Sequence, residues 1–240
     1  MIIVSFSGID GAGKSTQISA LESFLHHSGL RPRLLTFWDD VVCLSRYREF
    51  MSLKAFKGDA GVGSPENPLH RRDKNVTSWP VTLMRFGLYL ADALNLCQKV
   101  RQSRRSDADV VIFDRYIYDE LANLPLTNAA ARFFARLVLK LVPRPDLAFV
   151  IDADPVAAQA RKPEYPLDFV CHNREAYIRL ARLAGNMIVV EPDSIEAMKT
   201  RIRNEMLQKL ARTRLDRRDP HSPLPTPNPA NISSGELIEP

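Results

Sequence analysis

The clearest chemistry in the sequence lies in Gly8–Thr16, which reads Gly-Ile-Asp-Gly-Ala-Gly-Lys-Ser-Thr and follows the apolar run Ile2–Phe6. The spacing of its glycines, lysine and hydroxyls is typical of a phosphate-binding loop between a strand and a helix. Glycines let backbone N–H groups turn toward a phosphate, and the positive end of the following helix adds to the attraction. The sequence therefore predicts a binding site for a nucleoside triphosphate.

The polar residues of this loop have expected roles. Lys14 would reach the β- and γ-phosphates, and the Ser15 hydroxyl would join the Mg²⁺ shell, so ATP and Mg²⁺ are the predicted cofactors. The residues expected to bind the nucleotide are Gly8, Asp10, Gly11, Ala12, Gly13, Lys14, Ser15 and Thr16. A glycine-rich turn that binds nothing is the alternative, and the agreement of spacing, lysine, hydroxyl and flanking elements disfavours it.

A second group of polar residues ends a later apolar run, Val110–Phe113. Asp114 at its end is expected to organise Mg²⁺ as the second half of the nucleotide signature. Arg115 and Tyr116 follow at once, which places a guanidinium at the same end of the sheet. The planar fork of an arginine can hold a phosphoryl group through two hydrogen bonds. Arg115 is therefore predicted to clamp the acceptor side, and Tyr116 is predicted to bind the acceptor beside it.

Apolar runs and helical patterns alternate along the chain. Strands are predicted at 2–6, 33–37, 110–114, 147–151 and 187–190, and helices at 14–28, 41–51, 78–104, 127–141, 155–163, 172–184 and 195–217. This alternation predicts an α/β fold in three layers, with a five-stranded parallel sheet flanked by helices. Residues 1–217 would form the domain, 161–169 a mobile lid, and the Pro- and Ser-rich residues 218–240 a disordered tail.

Composition favours an ordinary cytoplasmic protein. The chain has 240 residues, 45% of them hydrophobic, and a formal net charge of +5 that suits a protein handling phosphates. No apolar run approaches the roughly 18 residues of a membrane span, and no basic n-region of a signal peptide is present. Its three cysteines are isolated, so neither zinc nor disulfides are expected. The basic residues indicate solvated helix faces, so we expect neither nucleic acid nor membrane as a partner.

The acceptor site is predicted from two further groups of residues. Trp38, Asp39 and Asp40 follow the second strand, at the sheet edge where open α/β proteins bind ligands. Arg85, Tyr89 and Asp92 form one polar stripe on an apolar helix that we expect to be buried all round. Buried polar groups need partners. The stripe either faces a solvated pocket, which is the preferred interpretation, or its charges pair with each other in an Arg85–Asp92 salt bridge.

Two classes of phosphate-loop protein could use these residues. A GTPase needs an Asn-Lys-x-Asp tetrad to read guanine, and the chain has no such tetrad. A small-molecule kinase needs a cation on the acceptor side and a lid that excludes water. Arg115 offers the first, and the segment that begins at Arg161 offers the second, with Arg161 or Lys162 neutralising charge in the transition state. A kinase is therefore favoured.

Three stretches of the chain resemble thymidylate kinase. The likeness rests on Phe6–Gln17, Asp114–Tyr116 and Arg174–Ala181, and it extends from residue 1 to about residue 210. It implies transfer of the γ-phosphoryl group of ATP to a nucleoside monophosphate, as in the phosphorylation of dTMP to dTDP. It also implies that Asp10 approaches the acceptor sugar, that Arg115 holds the acceptor phosphate, and that the protein is a homodimer.

The chain departs from the family pattern at the acceptor side. Trp38–Asp40 stands where the family carries Arg-Glu-Pro-Gly-Gly, and Ala93 stands where its arginine reads thymine. Asp39 or Asp40 is similar to the acid that accepts a hydroxyl proton in deoxynucleoside kinases. A kinase of an unphosphorylated nucleoside or sugar, or a non-catalytic ATP-binding regulatory protein, therefore remains an alternative.

Overall fold

The computed structural model of the chain describes residues 1–43 and 79–217, with side chains described in 1–43 and 83–213. Within them, five parallel strands form one sheet in the order β2-β3-β1-β4-β5. The strands are β1 (Ile2–Ser7), β2 (Pro32–Thr36), β3 (Val110–Asp114), β4 (Leu147–Ile151) and β5 (Met187–Val190). Strands β1 and β4 are buried throughout because helices cover both faces of the sheet. The predicted α/β fold is confirmed.

The helices follow the strands in alternation. They are α1 (Lys14–His27), a π-helical turn (Phe37–Val41), α2 (Trp79–Ser103), α3 (Ile117–Leu121), α4 (Ala129–Leu141), α5 (Pro155–Arg161), α6 (Leu167–Ala184) and α7 (Ile195–Arg217). Gly29 and Gly185 end their helices in the left-handed conformation, each with φ of 71°. Asp154 caps α5 by accepting a hydrogen bond from the N–H of Ala157.

The strand order brings the two chemical motifs together. Central strand β1 pairs with β3 on one side and β4 on the other, and Phe6 lies opposite Asp114. On the far side of β3, Thr36 also lies opposite Asp114. The loop after β1, the residues after β3 and those after β2 therefore share one edge of the sheet, where ligands bind in open α/β folds.

Several predicted boundaries are wrong by small amounts. Strand β2 begins and ends one residue earlier than expected, and α4 begins at Ala129 and not at Thr127, because Asn128 caps it by accepting from the N–H of Ala130. Helix α6 begins at Leu167 and not at His172, because Pro166 stands at its N-cap and Asp168 suits its first turn. Only 162–166 of the predicted lid is therefore non-helical.

Helix α2 is not buried all round as predicted. Tyr89, Ala93, Leu96 and Val100 follow helical spacing and face the core, whereas Leu83, Met84, Leu90 and Leu94 are 38–64% exposed. Apolar residues on every face of a helix do not show which faces pack against a partner. The sequence pattern therefore overstated the burial of α2. In α7, Ile195 is also exposed, although the helical spacing of its apolar residues predicts that it faces the body.

Some predictions fall on residues that the structure does not describe. They are the part of the predicted helix 41–51 that follows Cys43, a long basic loop predicted at 58–78, the start of the predicted helix 78–104, which Ser78 is expected to cap, and the tail 218–240. Among the helices in the described ranges, none is both long enough and apolar enough to cross a membrane.

Candidate active site

The loop between β1 and α1 has the conformation that its glycines were expected to permit. Gly8, Gly11 and Gly13 have φ of 138°, 81° and 90°, a region that other residues rarely adopt. A Cβ on Gly8 would clash with the carbonyl oxygen of Ile151, and one on Gly11 would clash with that of Ala158. The loop therefore packs against β4 and α5, which hold it in place.

These contacts predict different costs for two alanine substitutions. Gly11→Ala combines a strained φ with a backbone clash and should lower the free energy of unfolding by about 3 kcal/mol. Gly13→Ala has a similar φ, but a Cβ there meets nothing within 4 Å, so about 1 kcal/mol is expected. Equilibrium urea unfolding measures both. Equal losses would contradict the packing of Gly11 against α5.

Lys14 opens α1, and its side chain is buried. Its Nζ donates hydrogen bonds to the carbonyl oxygens of Gly8 and Ile9, both at 2.9 Å. Burial, helped by the nearby charge of Arg115, lowers the pKa of Lys14 from 10.5 to about 8. The ammonium thus lies inside the loop under poor solvation, and a phosphate in the loop would stabilise its charge.

The lowered pKa of Lys14 predicts proton uptake on nucleotide binding. Bound phosphates raise that pKa, so a free protein with a pKa of about 8 should take up about half a proton per nucleotide near pH 8. Uptake should approach one proton near pH 9 and vanish near pH 6.5, and affinity should fall as the pH rises above about 8. Calorimetric titration with a magnesium-bound, non-hydrolysable ATP analogue in two buffers of different ionisation enthalpy measures this. Proton release near pH 8 would contradict the prediction, and Lys14→Met should abolish the uptake.

Arg115 leaves β3 in the left-handed conformation, with φ of 67°. Its Nη2 donates to Oδ1 of Asp10, and its Nη1 donates to Oδ1 of Asp119 at 3.1 Å. Burial alone would lower the pKa of this guanidinium, but the charges of Asp10 and Asp119 outweigh burial and raise the pKa. The structure therefore holds a permanently charged fork beside the phosphate loop.

Asp114 ends β3 at the same edge, and its half-buried carboxyl has a raised pKa because of burial. Ser15 and Thr16 of α1 are exposed. In the described ranges, no cluster of three or more acidic, His or Cys side chains could hold a metal by itself. This set fits Mg²⁺, which usually takes one or two protein oxygens and completes its shell with phosphates and water. Asp114 and Ser15 are the residues that would hold it.

The carboxylates after β2 have different surroundings. Asp40 Oδ2 accepts a hydrogen bond from the N–H of Thr36 at 2.8 Å, so Asp40 caps the π-helical turn. Asp39 is exposed, and Trp38 is half-buried against the core. The hydrogen bond gives Asp40 a structural role in the turn. Asp39 stays the candidate for acceptor contact.

Two polar residues of α2 hold the end of the π-helical turn (Phe37–Val41) in place. Oδ1 of the fully buried Asp92 accepts from the N–H of Cys43 at 2.6 Å, and the Asn95 side chain donates to the carbonyl of Val41 at 2.5 Å. Asp92 therefore positions the segment after β2, a role that neither sequence interpretation included. Arg85 and Tyr89 are also buried, and their contact with an acceptor remains a prediction.

The two cations of the predicted lid are placed differently. Arg161 Nε donates to the carbonyl of Ala157 in its own helix, and Arg161 is exposed. Lys162 Nζ lies 3.8 Å from Asp10 Oδ1 and 3.3 Å from Glu164 Oε1. Of the pair, Lys162 is the one that reaches the phosphate loop.

Sequence reasoning missed the surroundings of Arg115. Asp119, Ser7 and Tyr177 form a buried polar cluster with it, although none was selected as a site residue. One signal was available, because Arg115 and Asp119 stand at the i, i+4 spacing of ion pairs on a helix. Tyr177 is far away in sequence, and only the packing of α6 brings it to the site.

Comparisons with known proteins agree on one family. No protein-family model matches the chain. A probable thymidylate kinase of Pyrobaculum aerophilum is 30% identical over 205 residues, covering 79% of this chain and 88% of the relative. A probable thymidylate kinase of Methanosphaera stadtmanae is 23% identical over 212 residues, covering 86% and 98%. The crystal structure of thymidylate kinase from Ehrlichia chaffeensis superposes with a TM-score of 0.55 over 85% of this chain and 98% of that chain, and its 16% identity indicates a shared fold.

Proposed function

This chain belongs to the thymidylate kinase family, and from that premise we propose that it transfers the γ-phosphoryl group of ATP to a nucleoside monophosphate, with dTMP as the preferred acceptor. The products would be ADP and dTDP. One observation carries the proposal: two cations from different elements reach the same loop. Lys14 bonds the carbonyls of Gly8 and Ile9, and Arg115 bonds the side chain of Asp10.

The residues divide into a donor side and an acceptor side. The backbone of Gly11–Thr16 and the ammonium of Lys14 would cradle the phosphates of ATP. Mg²⁺, when held by Ser15 and Asp114, would neutralise phosphate charge. Arg115 would bind the acceptor phosphate through its planar fork. Lys162 would move from Asp10 toward the transferring group, whose charge spreads over its oxygens in the transition state.

The geometry favours a phosphorylated acceptor over a free nucleoside or sugar. A kinase of an unphosphorylated hydroxyl needs a carboxylate base, and of the two acids after β2 Asp40 already accepts the N–H of Thr36, which leaves only the exposed Asp39 for that role. A largely buried guanidinium with a raised pKa, in contrast, is the group that a phosphate dianion would bind. We expect that dianion to replace the partly exposed partner of Arg115, Asp10. A homodimer and a cytoplasmic location stay predictions.

An acceptor panel tests this function. The full chain is incubated with Mg·ATP and, separately, dTMP, the other nucleoside monophosphates, thymidine and simple sugars, and both ADP and the phosphorylated product are quantified. We expect dTDP and ADP in equal amounts and the highest kcat/KM with dTMP. Turnover confined to thymidine or a sugar would contradict the proposal. Tight Mg·ATP binding without turnover on any acceptor would favour a regulatory protein.

A further inference from the structure

A buried carboxylate outside the phosphate loop, that of Asp119 in α3, lies directly against Arg115. Its Oδ1 accepts hydrogen bonds from Arg115 Nη1 at 3.1 Å and from the Tyr177 hydroxyl at 2.7 Å. Its Oδ2 accepts from the Ser7 hydroxyl at 2.6 Å and from the N–H of Tyr116 at 3.2 Å. A carboxylate offers about four lone-pair sites, so these contacts saturate it.

The two carboxylates that hold Arg115 therefore differ in freedom. Asp119 is 4% exposed and tied to β1 through Ser7 and to α6 through Tyr177. Asp10 lies in the loop, keeps a 14% exposed side chain and also faces Lys162 at 3.8 Å. Displacing Asp119 from Arg115 would strand a buried carboxylate that is bonded to Ser7 and Tyr177, so we expect an incoming phosphate to replace Asp10.

We propose that Asp119, held by Ser7 and Tyr177, is a positioning residue that fixes the guanidinium of Arg115 for the acceptor phosphate. This inference rests on the proposed function, because it assigns a purpose to the acceptor clamp. It also accounts for the left-handed backbone of Arg115, whose strain persists only where neighbouring contacts hold it.

Tyr177 is the most informative member of this cluster. Its hydroxyl donates to Asp119, so a change there reaches the acceptor clamp through the carboxylate that holds Arg115. Burial raises the pKa of Tyr177, which keeps the hydroxyl protonated as a donor. Its helix, α6, starts directly after 162–166, so the helix that follows the predicted lid also supports the clamp.

Tyr177→Phe removes one hydrogen bond and little volume. We expect the KM for dTMP to rise about fivefold, as the loss of one buried hydrogen bond implies. The KM for ATP should stay within about twofold, because Lys14 and its loop are untouched. Steady-state kinetics with each substrate varied in turn gives both values.

Tyr118→Phe is the matched control. Tyr118 is equally buried, one residue from Asp119, but its hydroxyl bonds the side chain of Asn186 away from Arg115. We expect a similar change in stability and no change in either KM. An equal rise in the dTMP KM of both variants, or no rise in Tyr177→Phe, would overturn the positioning role.

A double variant separates positioning from an independent contact. In an Arg115→Ala background, Tyr177→Phe should change the dTMP KM by less than about twofold, because the group it acts through is gone. If the effects of Arg115→Ala and Tyr177→Phe on the dTMP KM multiply, the proposal is overturned.

Asp119→Asn should raise the dTMP KM more than Tyr177→Phe does, because a charge is lost with the contact. A wild-type protein that phosphorylates no dTMP would contradict the proposed function and this inference together, whereas an active wild type with an unaltered Tyr177→Phe variant contradicts only the inference.

Discussion

Lys14→Ala is expected to lower kcat by about 10³-fold while the protein stays folded. Preorganised cations and donors aimed at developing charge contribute about that much when one is removed. Lys14 is the charged group placed inside the loop, bonded to the carbonyls of Gly8 and Ile9. The lysine is also poorly solvated, as its lowered pKa of about 8 indicates, so its removal relieves a desolvation cost.

For Lys14→Ala, the rate of ADP formation with Mg·ATP and dTMP measures kcat. The thermal unfolding midpoint of the variant shows whether it stays folded. The midpoint should lie within a few degrees of that of the wild type. Lys140→Ala is the control, because Lys140 is an exposed lysine in α4. Wild-type turnover in Lys14→Ala would remove the assignment of this loop to phosphoryl transfer.

Arg115→Lys is expected to lower kcat/KM for dTMP by about 10²-fold. Lysine keeps the positive charge but lacks the planar fork that grips a phosphate through two parallel hydrogen bonds. In the structure the guanidinium spans Asp10 and Asp119, a reach that one ammonium does not reproduce. The loss should appear in the kinetic constants for dTMP, since Arg115 is assigned to the acceptor.

Arg31→Lys provides a matched control for Arg115→Lys. Arg31 also holds a carboxylate, that of Asp109, through Nε at 3.0 Å, but it is 65% exposed and precedes β2 at the opposite edge of the sheet. We expect kinetics indistinguishable from those of the wild type. A Mg·ATP affinity that falls in Arg115→Lys as far as the dTMP affinity does would place Arg115 on the donor side and contradict the assignment.

The fold was predictable because its signals are local and repeated. Apolar runs mark the buried strands, and Gly29, Gly185 and the Asp154–Pro155 pair mark helix ends by chemistry that acts within a few residues. Where two local signals competed, the prediction failed. Thr127 and Asn128 are both good caps, and only the path of the chain decides that Asn128 serves.

The site was predictable only in part. Gly8–Thr16 and Asp114–Tyr116 carry motif spacing, so their positions followed from the sequence. The roles of Asp40 and Asp92 did not, because each depends on a backbone N–H that folding brings to it, Thr36 in one case and Cys43 in the other. A carboxylate that caps a turn and one that awaits a substrate look alike in sequence.

The Asp119 cluster shows the same limit over a longer range. Ser7, Asp119 and Tyr177 come from β1, α3 and α6, and sequence pattern relates only Asp119 to Arg115. Their hydrogen bonds depend on the packing of α6 against α3, which no periodicity specifies. Polar residues at buried positions were the available hint that such a network exists.

Equilibrium binding of Mg·ATP to the full chain tests the central claim most directly. A non-hydrolysable analogue is titrated into the protein with magnesium, and into Lys14→Ala as the control. One saturable site per chain, weakened strongly in Lys14→Ala, is the predicted result. No measurable affinity of the wild-type protein for the analogue, or for any other nucleoside triphosphate, would contradict it.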